Sequence, residues 1–233
     1  MAEERPWWPI AAIVTVLVVV NVGSNRLIPS WAYVPWAMAW AVGLVWFVRR
    51  FDAVSWDELG LAPAAVGRGL RWGGALAGLV LGGYVIAFVL PATHDLFLDD
   101  RVRGWSITQT AYAALVRVPL GTVLLEEVAF RAVLPAVLMR RRSRAVAVGA
   151  SAALFGLWHV LPALGIDSTN PVATETIGSL PEWTSVLGAV VSTSAVGVWF
   201  WWLRHRTGSL LTPMALHWAT NGLGYAFAYA AWN

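Results

Sequence analysis

The stretch Val118-Pro-Leu-Gly-Thr-Val-Leu-Leu-Glu-Glu-Val-Ala-Phe-Arg-Ala-Val-Leu-Pro135 is apolar along most of its length and carries Glu126, Glu127 and Arg131 at its centre. An ionised side chain in the middle of a membrane helix costs about 2.5–3.5 kcal/mol on insertion scales, while each Leu or Val returns only about 0.3–0.6. Three such groups cost on the order of 7–10 kcal/mol on the same scale, which nearly cancels the apolar gain of the helix. A chain retains them only where they are paired, hydrated or used.

The rest of the chain has the character of this stretch. Of 233 residues, 58% are hydrophobic and 12% charged, where a soluble domain carries about 25% charged. The apolar residues fall into runs of roughly 18–23, the length that crosses about 30 Å of hydrocarbon at about 1.5 Å per residue. Spans are expected near 7–23, 31–48, 72–92, 110–139, 145–164, 183–203 and 209–231. The fold class is therefore all-α, a multi-pass transmembrane helix bundle of about seven spans. We divide it into N-terminal membrane helices (1–109), with a short interfacial segment near 51–70, and a C-terminal helix bundle (110–231). The first span follows Met-Ala-Glu-Glu-Arg, too acidic for a signal-peptide n-region, and reads as a retained anchor. There is no cysteine, so disulfides and thiolate metal sites are excluded.

The net charge of +3 comes from arginine alone, with no lysine. Arg5, Arg49, Arg50, Arg68, Arg71, Arg140, Arg141, Arg142, Arg144, Arg204 and Arg206 fall on one side of the expected spans. Arg26, Arg101 and Arg103 fall on the other. That asymmetry puts the N-terminus in the cytoplasm. It also explains the basic balance without nucleic acid, and the expected partners are the lipid bilayer and a membrane-associated substrate. The expected location is the cell membrane. Gly74, Gly78 and Gly82 form a small-residue ridge expected to seat a neighbouring helix.

Glu127 and Arg131 stand at i and i+4 with the acid first, the favourable order for a structural ion pair. Glu126 lies about 100° round the helix from Glu127 and needs a partner on another span. His159, in Phe155-Gly-Leu-Trp-His159, and His217 and Asn221, in His217-Trp-Ala-Thr-Asn221, are the candidates. At about 1.5 Å per residue from the inner helix ends, Glu126, His159 and Asn221 lie roughly 20 Å deep and His217 about 14 Å. The four are expected to converge on one cavity that opens to water or between helices, from the cytoplasmic half, with Phe155 as a packing wall. Ser192, Thr193 and Ser194 read as interhelical glue or as the lining of a substrate path. His94 and His205 lie in loops outside this layer.

A carboxylate and an imidazole can activate water without a nucleophilic Ser or Cys, and a second His with an Asn amide can donate to a developing oxyanion. Two His and one Glu are equally a catalytic zinc set with an open fourth position. Zinc is thus the one cofactor to consider, with Glu126, His159 and His217 as ligands if the chemistry is metal-dependent. No HExxH helix is present.

The three motifs, Glu126-Glu127-x-x-x-Arg131, Phe155-x-x-x-His159 and His217-x-x-x-Asn221, in this order on separate spans, resemble those of the CPBP family. These are the CAAX-prenyl-protease and bacteriocin-processing proteins, also called the Abi family. The resemblance covers roughly residues 110–230 and implies an intramembrane endopeptidase. It implies catalytic roles for Glu126 and His159 in activating water, and for His217 and Asn221 in stabilising the oxyanion. It leaves metal dependence open and gives no sign of a prenylated substrate. Two other classes remain: a non-catalytic membrane scaffold or immunity-type protein, and a proton-coupled transporter, which also places Glu and His at the midplane but would carry paired half-helices.

Overall fold

Residues 125–138 are buried without a break, and a helix covered on every side belongs in the middle of a bundle. The computed structural model describes residues 5–164, 169–177 and 180–233. Among the described residues every regular element is a helix, with no strand. The principal elements are α1 (Trp8–Val22), α2 (Tyr33–Phe51), the short α3 (Trp56–Leu59), α4 (Val66–Val89), a composite helix α5 (107–139), α6 (Arg144–Trp158), the single turn α7 (Val160–Ala163), α8 (Glu182–Thr207) and α9 (Leu211–Trp232). The core gathers α5 against Ile13 and Leu17 of α1, Ala41 and Leu44 of α2, and Phe155 of α6.

Five segments are long and apolar enough to cross a membrane: Trp8–Leu27, Ser30–Phe51, Trp56–Val89, Arg144–Ala163 and Glu182–Thr207. These coincide with five of the seven expected spans. The other two expected spans are α5 and α9, which carry Glu126, Glu127 and Arg131, and His217 and Asn221. Their polar load is the reason apolarity alone does not pick them out. The chain is an integral membrane protein.

Helix α5 is not uniform. Alpha turns at Ile107–Tyr112, Leu124–Glu127 and Leu134–Met139 alternate with π turns at Ala113–Val123 and Val128–Val133. In the π register a carbonyl is served by the N–H five residues on, and proline has none to give. The Ala114 carbonyl, five residues before Pro119, instead accepts from Trp218 Nε1 of α9 at 2.8 Å. The Phe130 carbonyl, five before Pro135, accepts from Ser151 Oγ of α6 at 2.8 Å. Hydrocarbon offers no water to a freed carbonyl, so each proline fixes a neighbouring helix to α5.

Close helix contacts depend on glycine, as α4 and α6 show. A Cβ on Gly73 of α4 would meet the Ala215 Cβ of α9 at 2.7 Å, and one on Gly156 of α6 would run into Ser194 and Val190 of α8. The expected Gly74, Gly78 and Gly82 ridge is corrected here: nothing lies within 4 Å of a Cβ at any of them. The inner face of α4 is the one that holds Gly69 and Gly73, the two buried residues of that helix, so the ridge one residue round faces outward.

The interfacial segment near 51–70 contains α3, opened by a capping box between Ser55 and Glu58 and closed by Gly60 at φ +71°. It is stapled to the inner ends of α5 and α8. Arg140 forks onto Glu58 (2.9 and 2.7 Å), Arg141 reaches Asp52 at 2.5 Å, and Arg204 donates to the Asp57 and Glu58 carbonyls. Arg49 adds a bond to the Val54 carbonyl at 3.2 Å, so several of the eleven arginines on that side have structural partners.

Candidate active site

The α-turn Leu124–Glu127, between two π stretches, presents both carboxylates to other helices. Glu126 and Glu127 are both buried. Glu126 Oε1 accepts from the Trp158 indole Nε1 of α6 at 3.0 Å. Its other oxygen, Oε2, is buried with no hydrogen-bond partner and lies 3.9 Å from His217 Nε2 of α9. The opposite ring nitrogen, His217 Nδ1, is 2.8 Å from Glu127 Oε1. A carboxylate accepts there, so Nδ1 donates and Nε2 is the edge turned to Glu126.

Glu127 bridges two groups. Its Oε2 lies 3.3 Å from Arg131 Nε, with both side chains fully buried, the expected i, i+4 pair. The Arg131 guanidinium sits 3.7 Å above the Phe155 ring and 5.2 Å from Phe200, and Phe200 in turn faces His217. Cation–π contact is the remaining support for a charge whose Nη atoms have no hydrogen-bond partner. The aromatic pair and the two carboxylates thus hold Arg131 and His217 as one unit.

His159 is reached differently. Helix α6 ends at Trp158 and α7 begins at Val160, with His159 at φ −85°, ψ 0° between them. Pro162 explains the break: it lacks an N–H and its ring clashes with the carbonyl four residues back, which belongs to Trp158. His159 Nδ1 donates to the Phe155 carbonyl at 2.8 Å, leaving Nε2 with the lone pair in the neutral ring. Phe155 packs edge-on to the imidazole at 4.6 Å between ring centres, the wall expected. His159 lines a cavity of about 520 Å³ between α6–α7 and α8, with Thr184, Ser185, Ser192 and Thr193 on the opposite wall.

The structure brings Glu126, Glu127, Arg131 and His217 into one buried cluster. It does not bring His159 within ion-pair distance of Glu126; its sequence neighbour Trp158 makes that contact. Asn221 is exposed one turn beyond His217, its Oδ1 accepting from Thr220 Oγ1 at 3.4 Å, with no hydrogen bond to the other three. For zinc the donors do not fit: among the described residues no three His, Asp or Glu side chains stand close enough to hold a metal ion. Glu126 and His217 supply two donors, and His217 Nδ1 is committed to Glu127.

Two residues of this neighbourhood were missed from sequence. Trp158 is hidden by its place beside His159. Asn21, whose Nδ2 donates to the Trp158 carbonyl at 2.9 Å, was signalled as the one polar residue in the run Val18–Val22, where an amide needs a partner. The family model described as Type II CAAX prenyl endopeptidase Rce1-like matches residues 108–223, which takes in every residue of the three motifs. No curated protein and no solved structure matches the chain.

Proposed function

The chain belongs to the CPBP family of CAAX-processing membrane proteases, and from that membership we propose that it hydrolyses a peptide bond of a membrane-associated protein or peptide by direct attack of water. Glu126 carries the reading. It is a buried carboxylate with one oxygen anchored by Trp158 and the other unpartnered, facing an imidazole nitrogen at 3.9 Å. A carboxylate held this way has one oxygen free to take a proton. Water attacks the carbonyl carbon as Glu126 removes its proton, and His159 Nε2, on the cavity wall, orients the attacking water. The oxyanion accepts from His217 Nε2 when that nitrogen carries a proton, and from Asn221 Nδ2. Glu126 then delivers its proton to the leaving nitrogen as the C–N bond breaks. Positioned proton transfer contributes about 10²–10⁴ in rate, and each oxyanion donor about 10²–10³. Joining His159 and Asn221 to the Glu126–His217 pair requires α6 and α9 to close on the substrate, in keeping with catalytic contacts that tighten only in the substrate complex.

The test is turnover by the purified full chain in liposomes. The probes are a membrane-peptide library and a quenched-fluorescence peptide ending in a prenylated CAAX sequence. Glu126→Ala should abolish cleavage while insertion and purification stay normal. Full turnover by E126A, or none by the wild-type chain on any probe, would remove the protease reading; the second result would favour a scaffold. Turnover should survive a chelator to within about twofold, because Trp158 and Glu127 already engage Glu126 and His217 without a metal ion; a loss on the scale of removing a Lewis acid would instead assign Glu126, His159 and His217 to zinc.

A further inference from the structure

Three prolines in the site helices each free a carbonyl, and each freed carbonyl is taken by a side chain from another helix. Trp218 serves Ala114, Ser151 serves Phe130, and Asn21 serves Trp158. The third differs from the others in what it holds. The Trp158 carbonyl belongs to the peptide unit that joins Trp158 to His159, so its orientation sets both side chains together. One of them anchors Glu126 Oε1 at 3.0 Å, and the other lines the α6–α8 cavity. Asn21 sits near the end of α1, 137 positions before its acceptor and outside the family match at 108–223.

We propose that Asn21 is a positioning residue of the active site: its amide replaces the N–H that Pro162 lacks, fixes the Trp158–His159 peptide, and through the Trp158 indole holds Glu126 in place. The site is then not self-contained in the C-terminal half, because one of its supports comes from the N-terminal helices. Without the amide, the Trp158 carbonyl is left in a largely dry layer with no donor. The break between α6 and α7 can then turn to seek one, carrying the indole away from Glu126. The same turn shifts His159, so the loss falls on the placement of the base and of the attacking water, while Thr184, Ser185, Ser192 and Thr193 on the opposite wall of the cavity stay in place.

The inference rests on the proteolytic reading, and its test separates the two. The kcat and KM of the full chain are measured in liposomes on the quenched prenylated CAAX peptide, with thermal unfolding of the same samples. Asn21→Leu, similar in volume with no donor, should lower kcat about tenfold or more with KM within about twofold, the scale of a lost hydrogen bond that supports a charged group. Asn21→Gln, which keeps the amide, should retain most of the activity. Trp158→Phe should lose at least as much as N21L, and the N21L/W158F double variant should lose clearly less than the product of the two single losses, since Asn21 acts in large part through Trp158. Pro162→Ala restores the N–H, so the N21L/P162A double variant should recover the Tm lost in N21L. Wild-type kcat in N21L, multiplying losses in N21L/W158F, or an N21L/P162A pair that shows no recovery would each overturn the proposal. If N21L does not fold, its rescue by P162A decides the matter. If the wild-type chain turns over no probe, the protease reading fails, and the Asn21–Pro162 unfolding cycle still tests the tether.

Discussion

Glu127 holds two neighbours at once, Arg131 at 3.3 Å and His217 at 2.8 Å, and this double duty distinguishes it from an ordinary ion-pair partner. Removing one member of a buried pair leaves an uncompensated charge, at a cost of about 3–5 kcal/mol. Glu127→Ala and Arg131→Ala should therefore each lower the Tm of the detergent-solubilised protein. The double variant should regain part of the loss, and a cycle with no coupling would contradict the pairing. The two single variants should differ in a second respect. E127A also strips His217 of its Nδ1 acceptor, so its residual activity should fall below that of R131A compared at equal folded fraction. The i, i+4 pairing was legible from spacing because it needs only one helix. The bond to His217 was not, because it depends on how α9 is rotated against α5, and no local rule sets that rotation.

Helix α5 is built around two prolines whose freed carbonyls are met by Trp218 and Ser151. Ser151→Ala should leave the Phe130 carbonyl buried without a donor, which costs about 1–3 kcal/mol. Pro135→Ala restores an N–H at that point, so the S151A/P135A pair should unfold closer to the wild-type Tm than S151A does; equal Tm values for the two would sink this account. Helix existence and position along the chain were legible from apolar runs, since length and composition fix them. The π turns were not, because the register depends on whether a neighbouring helix can supply the missing donor. That shift is one reason residues placed at matched depth by uniform 3.6-residue geometry do not all meet. Glu126 and His217 come together across α5 and α9, while His159 is displaced by the α6–α7 break at Pro162 and Asn221 is exposed with no hydrogen bond to the other three. The outward Gly74, Gly78 and Gly82 ridge has the same origin: glycine spacing shows that a face is smooth and leaves open which of two adjacent smooth faces meets a partner.

Across the whole molecule, the arginine asymmetry sets one side of the bundle apart, and there Asp52 and Glu58 bind Arg140 and Arg141 into a rim under α5. The cytoplasmic N-terminus predicted from the arginine asymmetry would put this rim inside, and the absence of cysteine makes the orientation directly measurable. With single cysteines introduced in intact cells, Leu96→Cys, on the opposite side and exposed, should react with a membrane-impermeant maleimide. Ser143→Cys, between α5 and α6, should react only after permeabilisation. The reverse pattern would invert the topology and move the rim outside. The helical membrane architecture was open to reading because the bilayer forces it on any chain with such runs. Which helices support the site was not, since the Asn21 contact joins residues 137 apart.

That separation also has a meaning in time. A ribosome adding about 5–20 residues per second releases α1 into the bilayer on the order of ten seconds before the Trp158 carbonyl has been made. Throughout that interval the Asn21 amide must find a provisional partner, in the insertion machinery, a lipid headgroup or a water carried in with it. Newly made chain arrested between α2 and α6 should therefore be held at the translocon longer than the same chain bearing leucine at position 21. Biogenesis of this protein thus begins with a polar group waiting for a partner not yet made.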